Sequence, residues 1–499
     1  MEYFPKLPLS DQTLRYLVDF SKDWTVSNGF CMRTPIDKHN SDVCQFCPFA
    51  LLPTPFPERC FDAAVDVQKD MNALYFVVAH DHEFIIKSLA EVIKTDEFTR
   101  KQVDIYNHVM KEGLAQPLVL QIQRSDYMCH APNDAESSNA VIKQIEVNNI
   151  ASSFGALASK CSTLHSIVCR RLGMSDDVIR RRCQQNCAVT TVSDGLAQAW
   201  WAYRNPSASV LFVVESANQN IVDQRLVEYN MHELTDHQAN CIRLTLAECE
   251  QRLHLDESTR QLTDRQSGSE IGVVYFRAGY VPTHYTSERE WDARLRIERS
   301  AAIKCPWIGL QLANTKKIQQ VLSGAGLVEH YLSFVHKNET DLQLHSRAVR
   351  ETFAGLWGLS PSDPETDSVV KRAMEKPQSF VLKPQLEGGG CNIYGVQIVE
   401  KLKVMRPDER AAYILMEKIE PFRQKNYLLR SNPANPTELP VLQDVVSELG
   451  AYGYLLGDVT QAWIRRNVVG GHVLRTKPVS TDEGGIMAGA AVIDSPFLV

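Results

Sequence analysis

The spacing of hydrophobic residues predicts two long helices in the first part of the chain. Apolar residues recur at helical spacing in segment 9–24, where Ser10 or Asp11 can cap the first turn. Segment 96–113 continues this pattern and stops at a glycine, a residue that commonly ends helices. We therefore expect residues 1 to about 115 to be largely helical.

The pattern then changes to that of β-strands. Residues 117–128 have the composition of a strand that ends in Arg124 and Asp126, and residues 140–155 alternate so that Glu146 and Asn148 project from one face of a strand. Two oxygen-bearing side chains in this arrangement can bind a hard cation. A strand face exposed to solvent gives the same pattern, so this segment alone leaves both interpretations open.

Strand-like and helix-like segments alternate from about residue 208 onwards. Buried strands are predicted at 209–216 and 271–280, and helices at 223–234 and 287–303. This alternation predicts a small α/β unit inserted in the larger chain, and hence a mixed α/β (α+β) protein.

The last third of the chain is predicted to contain a loop followed by strands. Segment 351–370 is rich in Ser, Pro and Asp, which indicates a linker-like loop. Strands are predicted at 411–421 and 445–458. Because 499 residues are too many for one hydrophobic core, we expect two or three packed units.

Composition and charge argue against several classes of partner. The net charge of −7 and the pI of about 6.1 argue against nucleic acid, whose binding depends on neutralising phosphates. No apolar run approaches the ~20 residues that cross a bilayer, and the N-terminus lacks a secretory pattern.

The 13 cysteines are an odd number, which favours reduced thiols. We expect a cytoplasmic protein without a nucleic-acid or membrane partner.

The spacing of cysteines and histidines gives only weak metal signals. Cys44 and Cys47 form a C-x-x-C pair, but the second close pair of a structural zinc site does not follow. Cys183 and Cys187 lie one helical turn apart, which predicts a shared helix face. The His-Asp-His segment 80–82 is predicted to contain surface or capping residues.

A strand that ends in charged residues and glycines is the strongest chemical feature of the chain. In segment 380–395 (FVLKPQLEGGGCNIYG) the lysine precedes the glycines, which excludes a P-loop, and the glycines lack the G-x-G-x-x-G spacing of a dinucleotide fold. A hairpin over an anion remains, in which bare backbone and Lys383 contact phosphate while Glu387 binds Mg²⁺. An ordinary glycine-rich hairpin is the alternative.

Similar chemistry recurs downstream. Met416 and Ile419 flank polar residues on a predicted strand and can contact the flat face of an adenine. Arg475 and Lys477 lie on one strand face, where Lys477 offers a further cation for phosphate, and a second glycine-rich loop follows at 482–491.

Seven strings in consistent order, from about Arg124 to the C-terminus, resemble the eukaryotic-type glutathione synthetase family of ATP-grasp ligases. They are QRSDYM, QIEVNNIASSFG, VVYFRAGY, IKCP, FVLKPQLEGGG, LMEKIEP and LRTKPV…EGGIMAGAAV. The resemblance implies an ATP-grasp fold with an inserted α/β substrate-binding domain and a glycine-rich lid. The implied domains are an N-terminal helical region with the first part of the core (1–207), the inserted domain (208–308), and the remaining core (309–499) with its lid at about 355–435.

The resemblance also implies the reaction. An enzyme of this family ligates γ-glutamylcysteine to glycine through an acyl phosphate, yielding glutathione, ADP and phosphate. ATP is the co-substrate, two Mg²⁺ ions are the implied cofactors, and the implied assembly is a homodimer. Alternatives are another ATP-dependent carboxylate–amine ligase, a homologue that uses β-alanine or serine as acceptor, and a catalytically inactive nucleotide-binding regulator.

The family's site residues carry over to matching positions of this sequence. The implied metal ligands are Glu146, Asn148 and Glu387, and the implied catalytic residues are Arg124, Lys383 and Arg475. The implied ATP-binding residues are Glu146, Lys304, Lys383, Glu387, Gly388, Gly389, Gly390, Cys391, Asn392, Tyr394, Met416, Glu417, Lys418, Ile419, Glu448, Lys477 and Glu483. The implied contacts of the peptide substrate are Arg124, Ile150, Ala151, Ser152, Ser153, Asn218, Gln219, Asn220, Gln224, Arg277, Ala278, Gly279, Tyr280, Arg475, Ile486 and Met487.

Five places depart from the family pattern. Leu386, Cys391, Asn218 and Ala278 stand where the family has Arg, Asn, Glu and Asp, and the pair 486–487 is bulkier than the small residues of the family. The resemblance implies that these positions flank the glycines or contact the substrate. We therefore expect differences from the family to concern ATP affinity, lid motion and the acceptor amino acid.

Overall fold

A seven-stranded sheet and two four-stranded sheets, with helices packed around them, form the mixed α/β fold. The computed structural model describes residues 4–132, 139–363, 365–386, 390–461, 463–482, 484–487 and 489–499. The α-helices are α1 (Asp11–Ser27), α2 (Glu58–Asp66), α3 (Gln68–Val78), α4 (His82–Leu89), α5 (Glu97–Glu112), α6 (Gly155–Arg171), α7 (Asp176–Arg182), α8 (Ala188–Tyr203), α9 (Ile221–Leu234), α10 (Leu246–Arg252), α11 (Glu288–Glu298), α12 (Ile308–Ala313), α13 (Lys316–Leu322), α14 (Leu327–Leu332), α15 (Glu339–Thr352), α16 (Thr366–Glu375) and α17 (Val396–Val404). Among the described residues, no helix is both long enough and apolar enough to span a membrane.

The strands are distributed along the whole chain. They are β1 (Cys31–Arg33), β2 (Cys44–Phe46), β3 (Phe49–Ala50), β4 (Thr54–Phe56), β5 (Leu118–His130), β6 (Val141–Asn148), β7 (Ser209–Val213), β8 (Cys241–Leu244), β9 (Leu253–Leu255), β10 (Leu262–Asp264), β11 (Ile271–Phe276), β12 (Ile303–Cys305), β13 (Leu356–Gly358), β14 (Phe380–Pro384), β15 (Ile393–Tyr394), β16 (Tyr413–Glu417), β17 (Arg423–Leu429), β18 (Leu442–Asp458), β19 (Trp463–Pro478), β20 (Val492–Asp494) and β21 (Pro496–Leu498). The larger sheets bring strands from distant parts of the sequence side by side.

Both helices predicted near the N-terminus are present. α1 begins after Ser10, whose side chain accepts a hydrogen bond from the Thr13 amide at 3.2 Å. α5 ends at Gly113, where a φ of +92° suits a residue without a Cβ. The expectation of a largely helical start is incomplete, because β1 to β4 also lie in this region. Strands of two or three residues are too short to show an alternating pattern.

β18 is an interior strand of the seven-stranded sheet, whose order is β17-β3-β20-β19-β18-β5-β6, and it also pairs with β17. α8 packs on one face of β18 and α3 on the other, so its side chains are buried on both faces. Tyr454 belongs to the apolar cluster beneath α8, and the next residue, Leu455, belongs to the cluster beneath α3. Residues 449–457 of the predicted strand 445–458 therefore contain only apolar residues, tyrosine and glycine, as suits a strand covered on both faces.

The predicted α/β unit is present as a parallel four-stranded sheet. Its strand order is β12-β11-β7-β8, and all three pairings are parallel. α9 and α11 correspond to the helices predicted between these strands and after them. The domain boundaries near residues 208 and 308 stay predictions.

The second four-stranded sheet, called the lid sheet here, contains β13, β16, β14 and β15 in that order and is antiparallel. The prediction of a linker-like loop at 351–370 is wrong, because this segment contains β13 and the start of α16. Leu359 and Val369 are buried in one cluster with Leu382 of β14. Their packing against the sheet outweighs the loop-forming tendency of the Ser, Pro and Asp residues around them.

Segment 80–82 is partly as predicted. Asp81 caps α4 by accepting a hydrogen bond from the Phe84 amide at 3.0 Å. His80 is not a surface residue, because its ring stacks on Trp307 with centroids 4.7 Å apart and burial lowers its pKa to about 4.

Cys183 and Cys187 do not share a helix face. Cys183 follows the last residue of α7, and Cys187 precedes the first residue of α8. The backbone of Cys183 forms a β-bridge with Phe497, which ends the helix there. The helical spacing of the two cysteines was therefore misleading, because a contact 314 residues away overrides it.

Candidate active site

A cavity of about 390 Å³ lies between the seven-stranded sheet and the lid sheet. β5, β6, β18 and β19 contribute the residues of one wall, and β14 and β16 contribute those of the opposite wall. The second glycine-rich loop adds residues 482 and 484–487 to the lining. The cavity thus forms where strands of two different sheets face each other.

Most of the predicted site residues line this cavity. They are Arg124, Glu146, Asn148, Ile150, Ala151, Ser152, Ser153, Tyr280, Lys383, Asn392, Tyr394, Met416, Glu417, Lys418, Ile419, Glu448, Arg475, Lys477, Ile486 and Met487. Glu387, Gly388, Gly389 and Glu483 lie outside the described residues.

The structure does not bring Lys304 to the cavity. Its ammonium group donates a hydrogen bond to the Ser300 carbonyl at 2.9 Å, and the side chain is buried beside β12. Burial lowers the pKa of Lys304 to about 8. The motif around this lysine suggested a phosphate contact, but the ammonium is held by its own chain.

Several predicted substrate contacts and two hairpin residues also lie outside the cavity lining. Gln224 accepts a hydrogen bond from Arg243 at 2.6 Å, and Asn220 donates one to Asp223 at 3.4 Å. These side chains are engaged within the α/β unit. The complete set is Asn218, Gln219, Asn220, Gln224, Arg277, Ala278, Gly279, Gly390 and Cys391.

Arg277 lies outside the cavity lining but holds two residues that line it. It donates to the Ser152 carbonyl at 2.9 Å and to the Ser153 hydroxyl at 2.8 Å. The Ser153 carbonyl in turn accepts hydrogen bonds from Tyr452 at 2.5 Å and from Arg124 at 3.2 Å. Segment 150–153 is therefore held in place by three polar side chains from three different elements.

Asp126 on β5 is the centre of a buried charge cluster. Its carboxylate accepts two hydrogen bonds from Arg124, at 2.7 and 2.8 Å, and one from Arg475 at 2.9 Å. Burial alone would lower the pKa of each arginine, but the adjacent carboxylates raise it above the usual value. Both guanidinium groups therefore stay charged. Arg475 also forms a short ion pair with Glu448, whose pKa is raised by burial despite this partner.

Glu146 and Asn148 project side by side from β6, as the alternation predicts. The Asn148 amide nitrogen donates to Asp126 at 2.9 Å and to Glu146 at 3.2 Å, and the Lys316 ammonium lies 3.1 Å from Glu146. Burial alone would raise the pKa of Glu146, but Lys316 and Lys383 hold it well below its usual range. Glu146 therefore carries a negative charge at neutral pH.

Lysines connect the walls of the cavity. Lys383 of the lid sheet donates to the Ile145 carbonyl of β6 at 2.8 Å. Lys418 lies 3.3 Å from the Asp482 carboxylate, and Lys477 donates a short hydrogen bond to the Asp482 carbonyl. Three ammonium groups from β14, β19 and the end of β16 thus converge on the same space.

The cavity also has an apolar part. Met416 and Ile419 are buried in a cluster against which Met128 and Ile145 pack. All four residues line the cavity, next to Tyr394, whose ring lies 5.5 Å from the Lys418 ammonium. An apolar cluster beside fixed cations can bind a ligand that has a flat ring and anionic groups.

Comparison with known proteins identifies the family. Residues 11–498 match the family model described as eukaryotic glutathione synthase, ATP binding domain. The chain belongs to the eukaryotic glutathione synthase family. It is 40% identical to the glutathione synthetase of Xenopus laevis over 487 residues, which cover 97% of each chain. It is 39% identical to that of Homo sapiens over 489 residues, which cover 98% of each.

A solved structure supports the same conclusion. A glutathione synthetase-like effector from Globodera pallida, solved in its apo form, superposes with a TM-score of 0.77 at 27% identity, covering 99% of both chains. The fold is thus of the ATP-grasp type, as the resemblance implied. This synthase is an ATP-dependent ligase.

Sequence reasoning assigned no role to Asp126 and Lys316 of this synthase. Lys316 is the first residue of α13, where the helix dipole disfavours a positive charge. A lysine at this position therefore indicates an acidic partner outside the helix, which is Glu146. A buried acid within a strand, such as Asp126, similarly requires cationic partners.

A Gly450→Ala substitution is expected to reduce the ligase activity of the synthase by about 100-fold. A Cβ at this position would lie 2.6 Å from Asp126 Oδ1 and 2.7 Å from Arg124 Cδ, so the ion pair must move. We expect an overpacking cost of about 1–3 kcal/mol, so the chain still folds. ADP release and the thermal unfolding midpoint measure the two effects.

Gly155→Ala is the matched control for this substitution. A Cβ on Gly155 would lie no closer than 3.6 Å to its neighbours, which is ordinary contact. The control variant should retain activity. Similar losses in both variants would show that the displaced ion pair is not the cause.

Proposed function

We propose that this enzyme joins the cysteinyl carboxylate of γ-glutamylcysteine to the amine of glycine, with conversion of ATP to ADP and phosphate. The observation that supports the proposal most strongly is one cavity that combines two oxygen donors on β6 with lysines from both walls and buried arginines. Oxygen donors suit a hard cation, and ammonium and guanidinium groups suit phosphates and carboxylates. Such a set fits phosphoryl transfer to a carboxylate.

The donor set fits Mg²⁺. Glu146 is held ionised by its cationic neighbours, and the Asn148 amide nitrogen is engaged by two carboxylates. The amide oxygen of Asn148 is thereby available for a cation, beside the Glu146 carboxylate. When bound, Mg²⁺ would neutralise charge on the ATP phosphates. Glu387, the third proposed ligand, and the proposed number of two ions come from the family resemblance.

We assign the nucleotide to the side of the cavity formed by the lid sheet. Met416 and Ile419 would contact the adenine, Glu448 would accept hydrogen bonds from the ribose hydroxyls, and Lys383 and Lys477 would bind phosphate oxygens. Support comes from the apolar cluster and the two ammonium groups on the lining.

We assign the peptide substrate to segment 150–153 and the arginines beside it. The arginine fork pairs bidentately with carboxylates, so Arg124 and Arg475 would orient the substrate carboxylate toward the terminal phosphate. That carboxylate would attack the γ-phosphate and form an acyl phosphate, releasing ADP. The glycine amine would then attack the acyl carbon, and phosphate would leave. No cysteine of the enzyme is needed as a nucleophile.

An acceptor panel tests the proposal. Purified protein is mixed with ATP, Mg²⁺, γ-glutamylcysteine and one of glycine, β-alanine or serine, and ADP release is followed by a coupled assay. We expect ADP release with glycine that depends on the dipeptide. ATP binding without ADP release for any acceptor would contradict ligase activity and support a regulatory nucleotide-binding protein.

A second candidate function, ligation of an acceptor amino acid other than glycine, has structural support. Ile486 and Met487 both line the cavity, and Met487 is 44% exposed. Side chains of this size change the space beside the acyl group. A higher kcat/KM with β-alanine or serine than with glycine would identify a ligase for that acceptor.

The domain division, the oligomeric state and the compartment are proposed from the family resemblance. We propose the domain division at 1–207, 208–308 and 309–499, with the lid at about 355–435, a range that contains the lid sheet, α16 and α17 and also β17 of the seven-stranded sheet. We also propose a homodimer in the cytoplasm. Light scattering on the purified protein and imaging of the tagged chain measure these two properties.

A further inference from the structure

Two histidines and a buried aspartate form a cluster outside the ligase cavity. Asp70 lies on α3, His336 lies between α14 and α15, and His345 lies on α15. His336 Nε2 is 2.7 Å from Asp70 Oδ1, and His345 Nδ1 is 2.7 Å from Asp70 Oδ2. None of the three residues lines the cavity. The ligase chemistry described above therefore leaves this cluster without a role.

The ligand atoms of the cluster lie close enough together to share one ion. The two imidazole rings are nearly parallel, at an interplanar angle of 12° and a centroid distance of 4.1 Å. One nitrogen of each ring and one carboxylate oxygen all lie within 4.8 Å of one another. The Asp70 side chain is 7% exposed and that of His345 is 40% exposed. A buried anion is thus reachable from solvent along the side of one histidine.

The surrounding structure holds the ligands in position. α3 packs against β18 in the core, which fixes Asp70. The His336 amide donates to the carbonyl of Leu332, the last residue of α14, at 2.9 Å. Asn338 then caps α15 by accepting hydrogen bonds from the first-turn amides at 2.8 and 3.2 Å. Three backbone segments therefore present their side chains to one point.

We propose that Asp70, His336 and His345 bind one divalent transition-metal ion of the Zn²⁺ type, at a site separate from the Mg²⁺ site of the ligase cavity. Two imidazoles and a carboxylate form a ligand set that such ions take with water as the fourth ligand. Ligand atoms in a tetrahedral zinc site lie roughly 3.3 Å apart, so the contacts of 2.7 Å must open slightly. The part-exposed His345 can supply this movement.

The ligands also give selectivity against Mg²⁺. Imidazole nitrogen suits Zn²⁺, Cu²⁺, Ni²⁺ and Co²⁺, whereas Mg²⁺ prefers oxygen and retains its waters. The two proposed sites thus differ in donor chemistry. Metal binding at the cluster can be measured in the presence of excess Mg²⁺.

The position of the cluster suggests a structural role for the ion. α15 leads directly into β13 of the lid sheet, and Lys143 of β6 donates to the carbonyls of Glu351 and Phe353, both at 2.9 Å. An ion shared by α3 and α15 would fasten the start of the lid connection to the core. We therefore expect the ion to stabilise the fold and not to enter the reaction.

Cobalt binding tests the site directly. The full-length protein is stripped with chelator and titrated with Co²⁺ in excess Mg²⁺, and visible absorption is recorded. We expect one equivalent of Co²⁺ to give the intense bands of a four-coordinate nitrogen-containing site, and Zn²⁺ to displace them. Octahedral cobalt with oxygen ligands gives only weak bands, so occupancy of the Mg²⁺ site is distinguished. Absence of intense bands would overturn the proposal.

Matched variants assign the signal to the cluster. His345→Gln and His336→Gln should each weaken Co²⁺ binding on the order of 100-fold or more, since a ligand is lost. Glutamine can still donate a hydrogen bond to Asp70, so both variants should fold. His330→Gln, an exposed histidine on α14, should bind Co²⁺ like the parent protein. Equal binding by all variants would place the ion elsewhere and reject the site.

Thermal unfolding distinguishes a metal site from a cluster in which the histidines only hydrogen-bond Asp70. We expect Zn²⁺ to raise the unfolding midpoint of the parent protein and of His330→Gln but not of His345→Gln. An unchanged midpoint in the parent protein would indicate that the histidines only hydrogen-bond Asp70, which contradicts the proposal.

Discussion

An Asp126→Asn substitution is expected to abolish most ligase activity and to destabilise the protein by about 3–5 kcal/mol. The Asp126 carboxylate is fully buried and accepts hydrogen bonds from Arg124, Arg475 and Asn148. An asparagine removes the charge that compensates two buried guanidinium groups, and its NH₂ group faces their donors. Urea unfolding monitored by circular dichroism and the coupled ADP assay measure the two losses.

Asp458→Asn is the control for this substitution. Asp458 is also buried on β18, and one of its carboxylate oxygens accepts hydrogen bonds from the Thr460 amide at 2.9 Å and the Thr460 hydroxyl at 2.6 Å. Asparagine keeps an oxygen acceptor there, so we expect a change of about 1 kcal/mol or less. If Asp126→Asn unfolds at the same urea concentration as this control, its carboxylate does not neutralise the arginines.

The elements predicted best are those whose local pattern agrees with their final packing. α1 and α5 have one apolar face and capping residues, and the second half of β18 is mostly apolar because helices cover both of its faces. β13 and the start of α16 were missed, because their Ser, Pro and Asp content indicates a loop while buried Leu359 and Val369 hold them against the lid sheet. The other strands of that sheet lie outside segment 351–370, so the segment's own composition could not reveal the packing.

In the candidate site, too, local patterns predicted some positions, while contacts between distant residues were not predictable. Alternation along β6 put Glu146 and Asn148 on one face, and the family resemblance supplied most of the cavity lining. The partner of Arg475 in the buried cluster, Asp126, is 349 residues away, so no spacing rule could connect them. Lys304 shows the converse: its motif matches the family, while its ammonium group donates to a carbonyl of its own segment and lies outside the cavity lining, so its ATP contact stays a prediction.

A Glu146→Gln substitution is expected to lower kcat/KM by on the order of 10³ while the protein stays folded. Glutamine keeps the size of the side chain but removes a negative charge that lies 3.1 Å from the Lys316 ammonium and beside Asn148. A weaker Mg²⁺ site should raise the Mg²⁺ concentration for half-maximal rate by roughly 10- to 100-fold. Initial rates over a Mg²⁺ series at fixed ATP measure both changes.

Because of the low pKa of Glu146, the Glu146→Gln substitution tests the loss of a negative charge and not a change in protonation. Its cationic neighbours hold the pKa well below the usual range, so the parent carboxylate stays ionised at every pH used for the assay. The rate ratio of parent to variant should therefore be independent of pH near neutrality. Glu351→Gln, which removes an exposed carboxylate 2.7 Å from Arg347, should leave the rate unchanged. Parent-like rates for Glu146→Gln at low Mg²⁺ would remove Glu146 from the metal site.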